Sequence, residues 1–325
     1  MAKVYFHDLR EKEVNLRAID GLMSTLPHVG GMVAVKIHFG EHGNTRAVKP
    51  AFVKRIIDRL KEQNAYPFLT DTATLYTGRR TNALNHRETA LEHGFSHVSM
   101  GCPVIIADGL KGEDYIKVSI DGEIFKRVKI ASSIFHSDSL VSISHFKGHS
   151  LTGFGGCVKN LGMGCAPPAG KEEMHSVLHP EPSEGCTGRG DCLESCRFGA
   201  LSIVDERLKL DLTRCTGCGG CIGSCPDSNL TLVGDLKEFQ KRMAEYALGA
   251  VEGKMAIHLN FLMDITRLCD CVPYTQPLIA KDIGILASTD PIALDKASLD
   301  LFEEGMGASS ERLSIPKYSS ITARR

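Results

Sequence analysis

The stretch CTGCGGCIGSCP, residues 215 to 226, spaces its cysteines as Cys215-x2-Cys218-x2-Cys221-x3-Cys225 and closes on Pro226. In such a frame the first three thiolates hold one iron–sulfur cube and the fourth reaches across to another. A structural zinc site needs only four ligands and no proline-terminated triple spacing, so the frame favours iron. Upstream, CTGRGDCLESCRFGA (186 to 200) repeats it with one change: Cys186-x5-Cys192-x3-Cys196 carries Arg189 where a second cysteine would stand. Crossed ligation then assigns Cys215, Cys218, Cys221 and Cys196 to a complete 4Fe–4S cluster. Cys186, Cys192 and Cys225 are left for a second cluster, 4Fe–4S or 3Fe–4S.

With Phe198-Gly199-Ala200-Leu201 behind the first run, the block resembles a two-cluster bacterial ferredoxin missing one ligand. A guanidinium is a permanent cation with donors only, so Arg189 cannot ligate iron. Three outcomes stay open for the second site: a 3Fe–4S cluster, a 4Fe–4S cluster capped by another residue, or one with an exchangeable iron that acts as a Lewis acid. A thiolate from outside the runs would instead complete an ordinary electron-carrying cluster, and Cys157, Cys165, Cys269 and Cys271 are the candidates. Cys269 and Cys271 flank Asp270, a spacing too short for the ferredoxin frame and poorly suited to a mutual disulfide. They bind metal, react, or are buried inert thiols.

Seven of the twelve cysteines fall between residues 186 and 225, which marks reduced thiolates holding iron rather than a disulfide framework. At 325 residues the chain has room for one large α/β domain and a smaller unit. A hydrophobic fraction of 42%, a charged fraction of 24% and a net charge of −1 give no electrostatic reason to expect nucleic acid or an anionic membrane. MAKVYFHDLR lacks the apolar core of a secretion signal, and no run approaches the roughly 20 apolar residues of a membrane span. A cytoplasmic protein with neither partner is expected.

Outside the cysteine block, β-rich runs alternate with helical patterns, as a mostly parallel sheet with helices on both faces requires. MVAVKIHF (32 to 39) reads as a buried strand. Pro50 opens a helix whose Phe52, Val53, Ile56, Ile57 and Leu60 form one stripe, and PFLT (67 to 70) is a strand ending at Asp71. YIKVSIDGEIFKRVKI (115 to 130) predicts a hairpin about Asp121-Gly122, an antiparallel addition to the sheet. LVSISHF (140 to 146) is a strand running into a glycine-rich loop, and LKEFQKRMAEYALGAV with KMAIHLNFLM predicts a helix followed by a strand. Asp290-Pro291 opens a last helix, for which Asp290 and Asp295 supply capping and first-turn charge. The expected fold is therefore α/β over residues 1–182 and 235–325, with a ferredoxin-like α+β iron–sulfur unit inserted at 183–234.

Ligands of open α/β sheets bind at the carboxyl ends of strands. Lys36 and His38 share a face at one such end, with Glu41 beyond, and Asp71 closes another, followed by Tyr76, Arg79 and Arg80. His145, Lys147, His149, Lys159 and Asn160 crowd the glycine-rich loop, where cations and backbone N–H groups suit a carboxylate or phosphate. Lys36, His38, His145, Lys147 and His149 are the candidate catalytic residues; Asp71, Tyr76, Arg79, Lys159 and Asn160 are the candidate substrate ligands. Each has a plain alternative: histidines satisfied in a core, glycines that only let a loop pack, arginines on a solvated surface. No glycine run has the nucleotide or dinucleotide frame.

VKIHFGE (35 to 41), TDTATLYTGRR (70 to 80), HFKGHSLTGFGGCVKNLGMGCAPPAGK (145 to 171), CDC (269 to 271) and DIGILASTDPIALDKA (282 to 297) resemble domain of unknown function family 362, a group of iron–sulfur proteins. The resemblance covers nearly the whole chain and implies an α/β domain with a ferredoxin-like insert, without implying a reaction. Arg189 departs from members that keep a full first run. The His, Gly-Gly and Lys arrangement is also similar, to a slighter degree, to the lactate racemase superfamily. Two clusters fused to so large a domain suggest an oxidoreductase that takes electrons from a ferredoxin- or flavodoxin-type donor and passes them to a small anionic substrate. A lyase or isomerase using an open iron or another metal, and an electron-transfer subunit of a partner enzyme, are the alternatives. If Arg189 keeps the second site at three cysteines, Arg189→Cys will convert it to an all-cysteine cube, and any 3Fe–4S EPR signal of the wild type will vanish. A wild type already holding two fully cysteine-ligated cubes would refute this.

Overall fold

After Met32, every residue of the strand Met32–Ile37 is buried, the continuous apolar pattern of a strand covered on both faces. The structure, a computed structural model, describes residues 2–10, 16–186, 188, 190–225 and 229–305. Arg189 and Pro226, on which part of the cysteine reading rests, lie outside the described residues. Met32–Ile37 sits within a seven-stranded sheet in the order Val4–Asp8, Gly284–Ser288, Met255–Leu262, Ser139–His145, Met32–Ile37, Tyr66–Asp71, Val104–Ile106. Pairings from Met255–Leu262 through Val104–Ile106 are parallel, and the other two are antiparallel.

Two apolar clusters divide at the sheet. On one face the stripe Phe52, Val53, Ile56, Ile57 and Leu60 of the helix Pro50–Glu62 packs with the helix Arg17–Thr25 over Val33, Val35 and Ile37. On the other, the helices Cys157–Gly162, Leu236–Val251 and Pro291–Gly305 cover Ala34, Leu140 and Leu286. The expected α/β sheet with helices on both faces is present.

Ser139–His145 and Met255–Leu262 are neighbours in the sheet, so everything between them is one long crossover. Within it, Leu178–Pro182 pairs with Leu230–Gly234 and Leu201–Val204 with Arg207–Leu210, each antiparallel and separate from the main sheet. The helical turns Asp191–Glu194 and Gly220–Gly223 complete this region, whose small core joins Cys192, Cys221 and Leu230. It docks on the loop after Tyr66–Asp71: Thr77 Oγ1 donates to Ser195 O (2.9 Å), and Arg197 Nη1 to Thr74 O and Leu75 O (3.3 and 3.4 Å).

Two expectations are corrected. The hairpin forms as Tyr115–Ser119 and Arg127–Ala131 but pairs with nothing in the main sheet. Its apolar face, Val118, Val128 and Ile130, is buried in the cluster shared with the helix Leu236–Val251, so it forms a separate layer. Its pairing stops at Ser119↔Arg127, and the loop beyond is held by a carboxylate rather than by a tight turn at Asp121-Gly122. Glu245 accepts from the backbone N–H groups of Glu123, Ile124 and Phe125 at 2.7, 2.9 and 2.7 Å.

Asp290 caps its own helix as expected, accepting from Ile292 and Ala293 N–H. Asp295 instead turns inward. It accepts from Cys157 N–H (2.6 Å) and Val158 N–H (2.9 Å) at the start of another helix, and from Asn260 Nδ2 (2.8 Å). Burial pushes its carboxyl up to about 6.

Because three backbone donors depend on one carboxylate, Glu245→Ala should lower the unfolding free energy by about 1.5–3 kcal/mol, and Glu245→Gln should recover part of it. Urea denaturation measures both, and an unchanged midpoint for the alanine variant would rule out the clamp.

Candidate functional site

Four parallel strands bring their carboxyl ends to one place, where open α/β sheets bind ligands. Met32–Ile37 delivers Lys36 and, one residue past its end, His38; Tyr66–Asp71 delivers Asp71; Ser139–His145 delivers His145. The chain after Met255–Leu262 returns over these ends as Cys269-Asp270-Cys271.

Lys36, only 1% exposed, binds Asp71 Oδ1 (2.9 Å), Asn160 Oδ1 (2.7 Å) and Ile37 O (3.2 Å). Asn160 in turn donates to Ile143 O and Ser144 Oγ at 3.0 and 3.1 Å, which ties the glycine-rich loop to the strand ends. Arg80, also 1% exposed, places Nε 3.1 Å from Glu41 Oε2 and Nη1 3.4 Å from Asp71 Oδ2, and donates from Nη2 to Tyr76 Oη. Burial would raise the Asp71 carboxyl, but Lys36 and then His86, whose Nε2 lies 3.5 Å away, hold it well below the usual carboxylate range.

Asp270 is fully buried. Its carboxylate meets His145 Nδ1 and Lys147 Nζ, each at 2.8 Å, and its carbonyl accepts from Glu41 N–H (2.9 Å). Against the cost of its own burial, His145 and Lys147 keep it ionised, and burial notwithstanding, Asp270 keeps Lys147 charged. His145 Nε2 faces Met263 O at 2.9 Å, so each ring nitrogen lies against an oxygen.

On the other side of the tripeptide the two thiols face each other with Sγ atoms 3.2 Å apart. The spacing is expected to suit a mutual disulfide poorly, and both thiols are free; their sulfurs nonetheless meet because the chain turns here, Val272 N–H donating to Cys269 O (3.1 Å). Cys269 Sγ lies 3.7 Å from Lys159 Nζ; Cys271 Sγ lies 3.4 Å from His38 Nε2 and 3.7 Å from Arg80 Nη2. The hydrogen bond from Cys271 holds the Cys269 thiol well below its ordinary range against burial, with Lys159 and Lys147 assisting, and the same bond pushes Cys271 up. Burial and Arg80 hold His38 well below its ordinary value, hence neutral. His38, Cys269 and Cys271 place their ligand atoms within 4.8 Å of one another, close enough for one metal ion.

A second feature lies in the crossover region. Cys196, Cys215, Cys218 and Cys221 line one small pocket, with Leu201 and Leu210 among its walls. Gly217 and Gly219 take φ of 68° and 72°, a left-handed bend that glycine adopts at little cost and that wraps the run around the space. Burial raises the Cys215 thiol although Gly217 N–H opposes it, and pushes Cys221 up to about 12. Ala200 N–H donates to Cys196 Sγ (3.4 Å) and Asn229 N–H to Cys225 Sγ (3.3 Å). Cys186 is half-buried and Cys192 buried. Cys157, whose Sγ is 3.2 Å from Ser142 Oγ, and Cys165 lie in the main apolar core.

Tyr76 joins the two features. A Cβ placed on Gly220 would lie 3.7 Å from Tyr76 Cβ and 3.8 Å from Cys218 Sγ, while Tyr76 Oη accepts from Arg80 and lies 3.4 Å from Glu41 Oε2. Burial raises its hydroxyl pKa well above the ordinary value, and Cys271 and Glu41 add to this while Arg80 opposes.

Of the residues singled out from the sequence, Lys36, His38, Asp71, Tyr76, His145, Lys147, Lys159 and Asn160 therefore meet around one centre. His149 is beside it, its Nδ1 accepting from Leu151 and Thr152 N–H, and it is neutral because burial, then Lys159 and Lys147, lower its pKa. Arg79 points away to Glu92 (2.8 Å) and Glu88 (3.5 Å) at the surface. Asp270 and His86 were not anticipated. The only signal for Asp270 was its place between two cysteines, and for His86 there was none.

The family described as domain of unknown function (DUF362) matches residues 33–300. No curated protein matches the chain. Among solved structures, a Thermotoga maritima protein from structural genomics is similar at 11% identity, over 90% of this chain and 58% of that one, with a TM-score of 0.44. The lactate racemase apoprotein from Thermoanaerobacterium thermosaccharolyticum is similar at 10% identity, over 89% of this chain and 55% of that one, with a TM-score of 0.47. The chain spans a little over half the length of both.

Removing one member of a buried ion-pair network leaves its partner uncompensated, at a cost of about 3–5 kcal/mol. Arg80→Met should lose that much at neutral pH, as read by chemical denaturation. Asp71, with a depressed pKa, stabilises the wild-type fold above the ordinary carboxylate range and ceases to as pH falls. Without Arg80 the deficit should shrink toward acid, as Asp71 takes up its proton. A deficit independent of pH would contradict the pairing.

Proposed function

The chain belongs to the DUF362 family, and on that premise we propose that it is an iron–sulfur oxidoreductase that delivers electrons to the buried site at the strand ends. The observation that carries this reading is that Cys196, from the first cysteine run, lines the same cavity as Cys215, Cys218 and Cys221 of the second. Crossed ligation of a two-cluster ferredoxin requires that grouping, and neither run alone would suggest it. Thiolates on one zinc lie about 3.8 Å apart. Among the described residues, His38, Cys269 and Cys271 are the only three ligand groups whose atoms all lie within 4.8 Å of one another, so the four thiols around the pocket, spread more widely, suit a larger group than a single ion.

Cys196, Cys215, Cys218 and Cys221 would hold a 4Fe–4S cluster, and Cys186, Cys192 and Cys225 a second. Bound there, such groups supply one-electron uptake and release. The chain itself contributes N–H donors from Ala200 and Gly217 that steady the sulfur charge, and Tyr76, whose ring covers the way from Gly220 to Arg80 and Cys271. At the strand ends, Lys147 and Lys159 give a water-poor site a positive field for a small anionic substrate, and neutral His38 can donate a hydrogen bond from Nε2. Residues 183–234 then serve as a ferredoxin-like insert that a ferredoxin- or flavodoxin-type donor addresses, in a cytoplasmic protein. Among the described residues, no helix is long and apolar enough to cross a membrane.

Anaerobic reconstitution tests the reading. Cys196→Ser and Cys218→Ser, in different runs, should abolish the same EPR signal of the reduced protein and each lower the iron content by roughly four per chain. If Cys196→Ser retains the signal that Cys218→Ser loses, the shared cluster is wrong.

A further inference from the structure

We infer that Cys269 and Cys271 are a dithiol–disulfide couple that exchanges two electrons at the strand-end site. Their sulfurs are 3.2 Å apart, and closing the bond asks them to approach by about 1 Å. The segment is braced for this: Gln276 accepts from Leu268 N–H and donates to Leu268 O and Cys269 O, and Val272 N–H donates to Cys269 O. Asp270 anchors the tripeptide from its far side through His145 and Lys147. Each sulfur has a cationic donor at 3.7 Å, Lys159 for Cys269 and Arg80 for Cys271, the electropositive setting that makes a thiol reactive.

The same three ligand atoms could be read as a metal site, but the donor set argues otherwise. Gly40 N–H donates to His38 Nδ1 at 2.9 Å, so the neutral ring carries its proton on Nε2, the atom that faces Cys271. A metal-bound histidine has the opposite arrangement, with its free nitrogen donating outward. Here Nε2–H is instead placed to donate a hydrogen bond to the Cys271 sulfur. Two cations against the thiols would also oppose a third positive charge.

In the reducing direction the S–S bond takes up two electrons and one proton. Cys269 leaves as thiolate beside Lys159 and Cys271 as thiol, its proton coming from solvent, while His38 Nε2 lies against the Cys271 sulfur at 3.4 Å. In the oxidising direction the pair gives up two electrons and one proton to the small anionic substrate of the proposed function, which reaches the half-buried Cys271 while Cys269 is buried behind it. The couple is defined without the insert. That its electrons come from a low-potential one-electron iron–sulfur or flavin carrier through the Tyr76 side rests on the proposed function.

The test uses the full chain, held anaerobically in dithiothreitol redox buffers, quenched in acid, alkylated and digested. The peptide spanning Cys269 and Cys271 should pass from neither to both thiols alkylated with a two-electron dependence on potential, in the wild type and in Cys218→Ser alike. Reduced viologen without thiol should reduce the pair in the wild type and much more slowly in Cys218→Ser. Two free thiols at every potential, or one equivalent of zinc protecting both from alkylation, would overturn the couple. Equal reduction by viologen in both proteins would leave the couple standing and remove the insert as its electron source.

Discussion

Burial of charge at the strand ends is the constraint around which the rest is arranged. Lys36, Asp71, Arg80, Glu41, Lys147 and Asp270 are all nearly withdrawn from solvent, and an unpaired charge there would cost several kcal/mol. Each must therefore be met by an opposite group on a different segment. Lys36 joins the first strand end to Asp71 on the next, Arg80 returns to both Asp71 and Glu41, and Asp270 binds His145 and Lys147 from the segment after a third strand. Apolar packing holds the strands in register, but these pairs fix where the loops beyond them end.

That fixing gives the sulfurs their positions. The chain turns at Asp270, with Val272 N–H donating to Cys269 O, and tying the Asp270 carboxylate to His145 and Lys147 leaves the two thiols facing each other. There they meet His38, Lys159 and Arg80, each already oriented by other contacts: His38 by Gly40 N–H, Arg80 by its carboxylates, and Lys159 by a helix whose first N–H groups are held by Asp295. A neutral histidine, two cations and two thiols in one small volume are thus a consequence of satisfying buried polar groups, and their reactivity follows from that arrangement.

The sheet was legible because its signals are local. The apolar run of Met32–Ile37, the stripe behind Pro50 and the Asp290-Pro291 helix start each depend on residues a few positions apart, and each formed where expected. The cysteine runs are a signal of the same local kind, a spacing set within one loop. Non-local partnership was not legible. The hairpin pattern specified two paired strands but not what they would pack on, and Asp295 could not announce that it would cap a helix more than a hundred residues away. The candidate site was half visible: Lys36 and Asn160 are 124 positions apart, and His38 and Cys271 are 233 apart. The sequence offered the chemistry of each group without the pairing that leaves Arg79 at the surface and draws Asp270 to the centre.

The position of the cysteine block follows from the same geometry. It lies in the crossover between two strands that are adjacent and parallel, a connection that must already leave the sheet, cover one face and return. Because closure entropy grows only slowly with length, that crossover can carry extra residues at little cost to the sheet. Its return is constrained, since the strand that follows must lead into the segment bearing Cys269, Asp270 and Cys271. The cysteine-bearing region is held meanwhile by Arg197 and Thr77 against residues 74 to 77, the same loop that carries Tyr76 toward Arg80. One loop after one strand therefore makes contact with both sulfur-rich centres, and a change in how the cysteine block seats on it would be felt first at Tyr76, then at Arg80, and through Arg80 at Cys271.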